Sequence, residues 1–464
     1  MGKLNTMGLV FVILFSIVSI GYPACEGDLN CTGTVDGSDL ALFAADFGAT
    51  GCGDCDDVIG RIEMLENKIL QLEALLLGVT RDGSNIIFEA VNLQIVNGTD
   101  STAGTSNGLG NLIVGYNENT VSASRNGSHN LIVGIDHEYT SYAGLLAGRQ
   151  NSVSNTSSVA MGHDNEVTAS YSTVTGGHGN TVNSIYSSVS GGYGNTVSAA
   201  YASISGGRDN TISGNYASIS GGRYNEASGQ YAFVGGGGGD SVVFGNEAYS
   251  HYSAVLGGRQ NVAGDIPGDP SLSQWASVCG GRGNEAIGTY SNISGGYYGE
   301  ASGQYSHISG GQDNFARGEY SSVSGGERNT ASGEASSVTG GYNNTASGYR
   351  DSISGGYSNK TNNDYSSVSG GISNTASGDY SSVSGGSNNT ASGSRASVSG
   401  GAQNISSGFC SSVGGGGGLS STDGNTALGD FSSVSGGLSN TSSNGNSTVV
   451  GDSGGVFVDD VNVH

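Results

Sequence analysis

Ser321-Ser-Val-Ser-Gly-Gly-Glu-Arg-Asn-Thr-Ala-Ser-Gly-Glu-Ala335 is followed at once by Ser336-Ser-Val-Thr-Gly-Gly-Tyr-Asn-Asn-Thr-Ala-Ser-Gly-Tyr-Arg350. The second stretch repeats the first at a step of 15 residues, and the step decides the fold. Blocks of this kind start at Ser187, Ala202 and Ala217, and then at Ala276, Ser291, Ser306, Ser321, Ser336, Asp351, Ser366, Ser381, Ala396 and Ser411. The consensus is x-Y-S-S-V-S-G-G-x-x-N-T-A-S-G, and divergent copies reach back to Leu145 and forward to Val449. A fixed short period is the mark of a solenoid, in which each repeat contacts only its neighbours. Within Ser-Ser-Val-Ser the side chains alternate, so Val points inward and the serines beside it point outward. Ala391 and its equivalents supply a second inward position. The Gly-Gly pair suits a turn that needs positive φ. The Asn after it tolerates the left-handed region and can stack on its equivalents. The expectation is a mainly β protein: a left-handed parallel β-roll of roughly 20 coils.

Composition agrees with thin repeated layers. The chain of 464 residues holds 85 Gly and only 12% charged residues, against a usual Gly share of about 7%. It cannot fill one thick apolar core. Gly/Ser-rich sequence is often a flexible linker, but a linker needs no fixed phase. From Val278 to Val413 the phase holds over nine consecutive steps. A net charge of −24 with 15 basic residues excludes the basic stripe of a nucleic-acid binder and disfavours anionic membranes.

The phase slips in three places. Val234 to Val255 and Val413 to Val434 are 21 residues apart, each after a five-glycine run, and Val255 to Val278 spans 23. That last gap contains Pro267, Pro270 and Trp275. Insertions in a solenoid become protruding loops, which makes the Pro267–Trp275 loop a candidate binding loop. Cys279 and Cys410 lie nine coils apart, about 43 Å at about 4.8 Å per coil, so they cannot pair within one chain.

Four segments precede the roll. Residues 1–24 read as a signal peptide, with Lys3 before the apolar run Gly8–Gly21. The expected protein is therefore secreted, with no membrane span in the mature chain. Residues 25–55 hold four cysteines and the loop Asp28-Leu-Asn-Cys-Thr-Gly-Thr-Val-Asp-Gly-Ser-Asp39. Its oxygen ligands fall at calcium-loop positions: Asp28, Asn30, Thr32, Asp36 and Asp39, with Thr34 offering its carbonyl and Gly33 at the sharp turn. Calcium is the expected ion. Residues 56–80 carry a heptad pattern, with Ile62, Ile69 and Leu76 at a and Val58, Leu65, Leu72 and Val79 at d. Arg61 at g and Glu66 at e are placed for an interhelical ion pair. Ile86–Val96 reads as a strand within a β neck, 81–106, that feeds the roll at 107–452; a tail, 453–464, follows.

Nothing points to catalysis. Gly451-Asp-Ser-Gly-Gly455 matches a protease nucleophile segment over five residues only, and the seven histidines lack metal spacing. The chain is expected not to be an enzyme.

Three resemblances add to this reading. Gly27–Gly48 (GDLNCTGTVDGSDLALFAADFG) resembles one half of a dockerin, with Thr32 in place of the usual acidic ligand and no second repeat. Arg61-Ile-Glu-Met-Leu-Glu66 is similar to the Arg-h-x-x-h-Glu pattern of short trimeric coiled coils. Residues from about 107 to 452, with blocks such as Ser321–Gly325 and Ala331–Gly333, resemble the head of YadA-type trimeric autotransporter adhesins. That resemblance implies a left-handed roll, three chains side by side and binding to matrix proteins or cells. The order departs from the family's, because here the coiled coil precedes the roll. The implied protein is a secreted adhesin-like homotrimer that binds a surface protein or polysaccharide. The alternatives are an ice- or crystal-binding solenoid, since 15-residue coils resemble some insect antifreeze proteins, and a purely structural fibre.

Overall fold

The computed structural model describes residues 38, 41–42, 53–265 and 269–451, and the backbone of 456–457. The chain divides into two units, Met1–Gln94 and Ile95–His464.

In the first unit, helix α1 spans Gly53–Leu75. Strands β1 (Val79–Asp82) and β2 (Asn85–Phe88) then form an antiparallel hairpin. Gly83, at φ 58°, opens its two-residue turn. Two expectations are corrected here. Val79, the last heptad position, lies in β1 and not in the helix, because the backbone turns at Gly78 (φ 88°). The neck is also no single strand over Ile86–Val96: only Asn85–Phe88 is extended and paired, and residues 89–97 form no strand. Heptad residues Val58, Ile62, Leu65, Ile69, Leu72 and Leu76 are all exposed in the single chain.

The second unit is a parallel β-solenoid of about 22 turns. Each turn places a short strand in each of two parallel sheets. The first sheet runs from Leu112–Val114 to Thr448–Val449, and at about 4.8 Å per rung it is about 100 Å long. The ladder therefore begins ahead of the strictly phased repeats. Leu112–Val114 and Leu131–Ile135 pair in the same ladder as the regular coils, although the early steps are irregular. A third, single-residue ladder follows the Gly-Gly turn, for example Glu327 to Tyr342 to Tyr357.

Five positions of each coil point inward, as in Ser321, Val323, Asn329, Ala331 and Gly333. Val323 and Ala331 belong to the expected apolar pair, and their equivalents are 0–1% exposed along the regular run. The second Gly of the pair carries the positive φ. Gly326 sits at φ 84°, where a Cβ would lie 2.2 Å from the Gly341 carbonyl oxygen. At Gly333 a Cβ would meet the Gly348 carbonyl oxygen at 2.0 Å, so close stacking of backbones demands glycine there too.

The Asn does stack, but it is not left-handed. The left-handed residue is the one before it, such as Arg328 at φ 56° or Asn343 at φ 56°. That turn drives Asn into the interior, where its amide is saturated. Asn359 donates from Nδ2 to the carbonyls of Gly355 (2.9 Å) and Gly371 (3.1 Å), and its Oδ1 accepts the Asn374 backbone N–H at 2.9 Å. One buried side chain thus satisfies the Gly355 carbonyl and the Asn374 N–H, which the turn would otherwise leave without partners, and adds a second donor to the Gly371 carbonyl, which already accepts the Tyr357 N–H.

Candidate functional site

The solenoid presents periodic rows, and these are the candidate sites. The first is a hydroxyl face. Residues flanking each inward Val lie in two outward rows of the first sheet. Over five consecutive rungs they are Ser337 and Thr339, Ser352 and Ser354, Ser367 and Ser369, Ser382 and Ser384, and Ser397 and Ser399. Parallel pairing in register sets the rungs about 4.8 Å apart, and the alternation of a strand sets the two rows about 7 Å apart. The result is a regular array of hydroxyls.

The second row is aromatic. Tyr171, Tyr186, Tyr201, Tyr216, Tyr231, Tyr252, Trp275, Tyr290, Tyr305 and Tyr320 stack in one unbroken column. Centroids of neighbouring rings lie 4.1–6.1 Å apart, with interplanar angles of 14° or less. Every one of these residues has a positive φ, which costs an L-residue about 1–2 kcal/mol. Each stacked pair returns about 0.5–1.5 kcal/mol, and covering part of a large ring adds about as much again, so the column outweighs its strain. Further along, Arg350 and Arg395 occupy the same position. Their guanidinium groups lie over Tyr365 (5.7 Å) and Tyr380 (6.0 Å), continuing the column with flat cations.

This column corrects the reading of the Pro267–Trp275 loop. Trp275 does not project as a binding residue; it fills the rung between Tyr252 and Tyr290. The Trp275 N–H donates to the His251 carbonyl, as tyrosine N–H groups in this row donate to the preceding coil. The consensus shows a recurring Tyr whose role the sequence alone does not reveal. Its recurrence in phase, at 290, 305 and 320, was the available signal.

The third feature is a cleft of about 230 Å³ beside the insertion that follows the first five-glycine run. A short 3₁₀ turn, Val242–Phe244, forms one wall. Glu247 and Glu285 flank Val262 on consecutive rungs of the second sheet, with Tyr249 and Tyr298 nearby. Glu226 pairs directly with Glu247. Burial pushes the carboxyls of Glu226, Glu247 and Glu285 above the ordinary range, and the Glu247 charge adds to the effect at Glu226. Tyr249 is likewise raised, by burial and by its hydrogen bond to Glu247. Burial acts on Glu300 too, but Arg317 grips it at 2.8 Å and holds its carboxyl low.

Among the described residues, no group of three or more His, Cys, Asp or Glu is placed to hold a metal ion. The calcium-loop residues Asp28, Asn30, Thr32, Thr34, Asp36 and Asp39 lie outside the described residues, as does Asp452–Gly455 of the protease-like segment. Cys279 and Cys410 are both free thiols. No helix among the described residues is long and apolar enough to cross a membrane. No protein-family model matches the chain, and no curated protein matches it either.

Proposed function

We propose that this protein is a secreted, non-enzymatic, adhesin-like surface binder, assembled as a homotrimer through α1 and engaging a protein or polysaccharide surface with the long faces of its solenoid. The observation that carries this reading is the set of exposed rows, repeated in register over many rungs, because an extended periodic face suits an extended ligand. Five exposed heptad residues on α1 and Leu76 just after it, with Arg61 and Glu66 at g and e, support self-association. Tethering three weak faces multiplies avidity by about 10²–10⁴ without any new contact.

The test compares the full chain with a variant lacking residues 56–80. The full chain should have a trimeric mass by light scattering and be retained on coats of matrix protein or polysaccharide. The shortened chain should be monomeric and retained far less. A monomeric full chain, or equal retention of both, would overturn the proposal.

A second reading draws on the Ser337–Ser399 array. A regular lattice of hydroxyls suits an ice or mineral face. Inhibition of ice recrystallisation at micromolar protein would support it, and a lack of effect would remove ice as the target.

A further inference from the structure

The two outward rows of the first sheet change character along the solenoid. In the first four rungs they read Leu112 and Val114, Leu131 and Val133, Leu145 and Ala147, and Val159 and Met161. From the fifth rung they become Thr173 and Thr175, then Ser188 and Ser190, then Ser203 and Ser205. Eight consecutive outward positions are thus apolar, and none is charged. In the second to fourth rungs the inward partners Ile132, Leu146 and Ala160 stay fully buried, so there the face is additional to the core; in the first rung Ile113 is itself 39% exposed. Leu112, Val114 and Leu131 are 44%, 54% and 37% exposed. The strands are also longer here, with five residues in Leu131–Ile135, Leu145–Arg149 and Val159–His163, against two in the regular coils.

We infer that this apolar face is a contact between copies of the same chain, confined to the first four coils. The inference rests on the trimeric reading of α1 and extends it. Three observations choose a second copy as the occupant. Parallel association of α1 would bring the segment that follows it in each copy together, and the apolar rungs are the first coils after that segment. The chain carries a net charge of −24, so copies repel wherever acidic residues face each other, whereas these two rows are neutral throughout. The size also fits an extension of an existing contact. Four rungs at about 4.8 Å by two rows make on the order of 200 Å², well below the roughly 800 Å² per partner of a self-standing interface. The face is too small to recruit an independent partner and large enough to lock copies already tethered. Beyond the fourth rung the hydroxyl rows stay free for ligand.

Photo-cross-linking in the full chain tests this. Benzoylphenylalanine replaces Leu145 in one variant and Ser382, in the same row, in another. Phe233 already occupies that row, so an aromatic residue is accommodated. At a concentration where light scattering shows a trimer, illumination should give covalent dimers and trimers from position 145 and none from position 382. Adding Leu131→Ser and Val159→Ser should cut the yield from 145 several-fold with an unchanged circular dichroism spectrum, since serine fills this row in most regular coils. A full chain that is monomeric would defeat the α1 reading and this one together. A trimer without cross-links at 145 would defeat this inference alone. Equal cross-linking at 145 and 382 would show contact along the whole roll and overturn the confinement.

Discussion

The first four coils and the regular coils from Ala276 to Val413 turn the same two rows outward but fill them with opposite chemistry. Both bury a β-branched or aliphatic residue from the first sheet, Ile132 and Leu146 in one region, Val323 and Val338 in the other. Both run an Asn-type rung through the turn. In the first region His137 takes that rung: its Nδ1 accepts the Asn151 N–H at 3.2 Å, and its Nε2 lies 3.0 Å from the Val133 carbonyl. Outside, one region shows Leu, Val and Met and the other Ser and Thr. The inward rows are dictated by backbone groups that must be satisfied, while the outward rows are free to serve a purpose. The two kinds of row should therefore respond to substitution very differently.

The largest effect should come from the Asn rung. Asn359→Ala removes three hydrogen bonds and leaves the buried Asn374 N–H and the Gly355 carbonyl without partners, while Gly371 keeps its bond from the Tyr357 N–H; the loss should be about 3 kcal/mol. Asn151→Ala, which loses bonds to the Ala147 and Gly162 carbonyls, should cost about the same. In a solenoid the loss is local, so amide exchange at the following rung should speed up by about a hundredfold in each case. A much smaller effect at Asn151 would break the claim of a shared interior.

Gly299 marks a vacancy in that rung. It donates its N–H to Asn284 Oδ1 at 2.9 Å but has no amide to pass on to Asn314. Its φ is not positive, and a Cβ there would sit 3.2 Å from Asn284 Oδ1. Gly299→Asn should therefore stabilise these coils by about 1 kcal/mol, read as slower exchange at Asn314. Faster exchange would mean that the site cannot hold the amide.

Acid should move two stretches of the solenoid in opposite directions. Burial holds the His137 imidazole below its ordinary value, so the folded state binds the proton less readily than the unfolded chain. The contribution of that rung is present above about pH 6.5 and is lost as pH falls below it. Glu226 and Glu247 are shifted upward, so their contribution is greatest below about pH 4.5 and is lost as pH rises through their folded values. Going from pH 7 down to about pH 4.5 should thus loosen the coils around Asn151 and tighten those around Glu247. Glu226→Thr with Glu247→Thr, copying Thr196 and Thr211 in the same row, should flatten the second response and leave the first unchanged.

The smallest effect should be on the outward rows. Leu145→Ser and Ser367→Leu should each change the roll's own stability by within about 0.5 kcal/mol in a chain lacking residues 56–80. A large loss for Leu145→Ser would make that face part of the core.

Much of the fold was legible because the period is strict. Val323 and Ala331 are inward as alternation requires, and the second Gly of the pair takes positive φ. The errors lie where one residue's role depends on the next coil. Asn was expected to take the left-handed turn; Arg328 and Asn343 take it instead, since Asn is worth more as an inward amide. Trp275 reads as a loop residue in sequence, because only stacking shows it to be a rung. The register of the first coils is not readable from spacing, because Leu112 to Leu131 and Leu131 to Leu145 break the period although their strands pair in register.

The sequence by itself determined that this chain is a solenoid of 15-residue coils with a thin Val and Ala interior, because a short repeat can bury apolar groups only against its own copies. The tertiary structure alone decided which residues meet across coils: the Asn ladder, the aromatic column, the paired glutamates beside the cleft and the apolar start of a hydroxyl face. Those contacts join residues one or more full coils apart. Their partners are set by the register of stacking, which no single repeat contains.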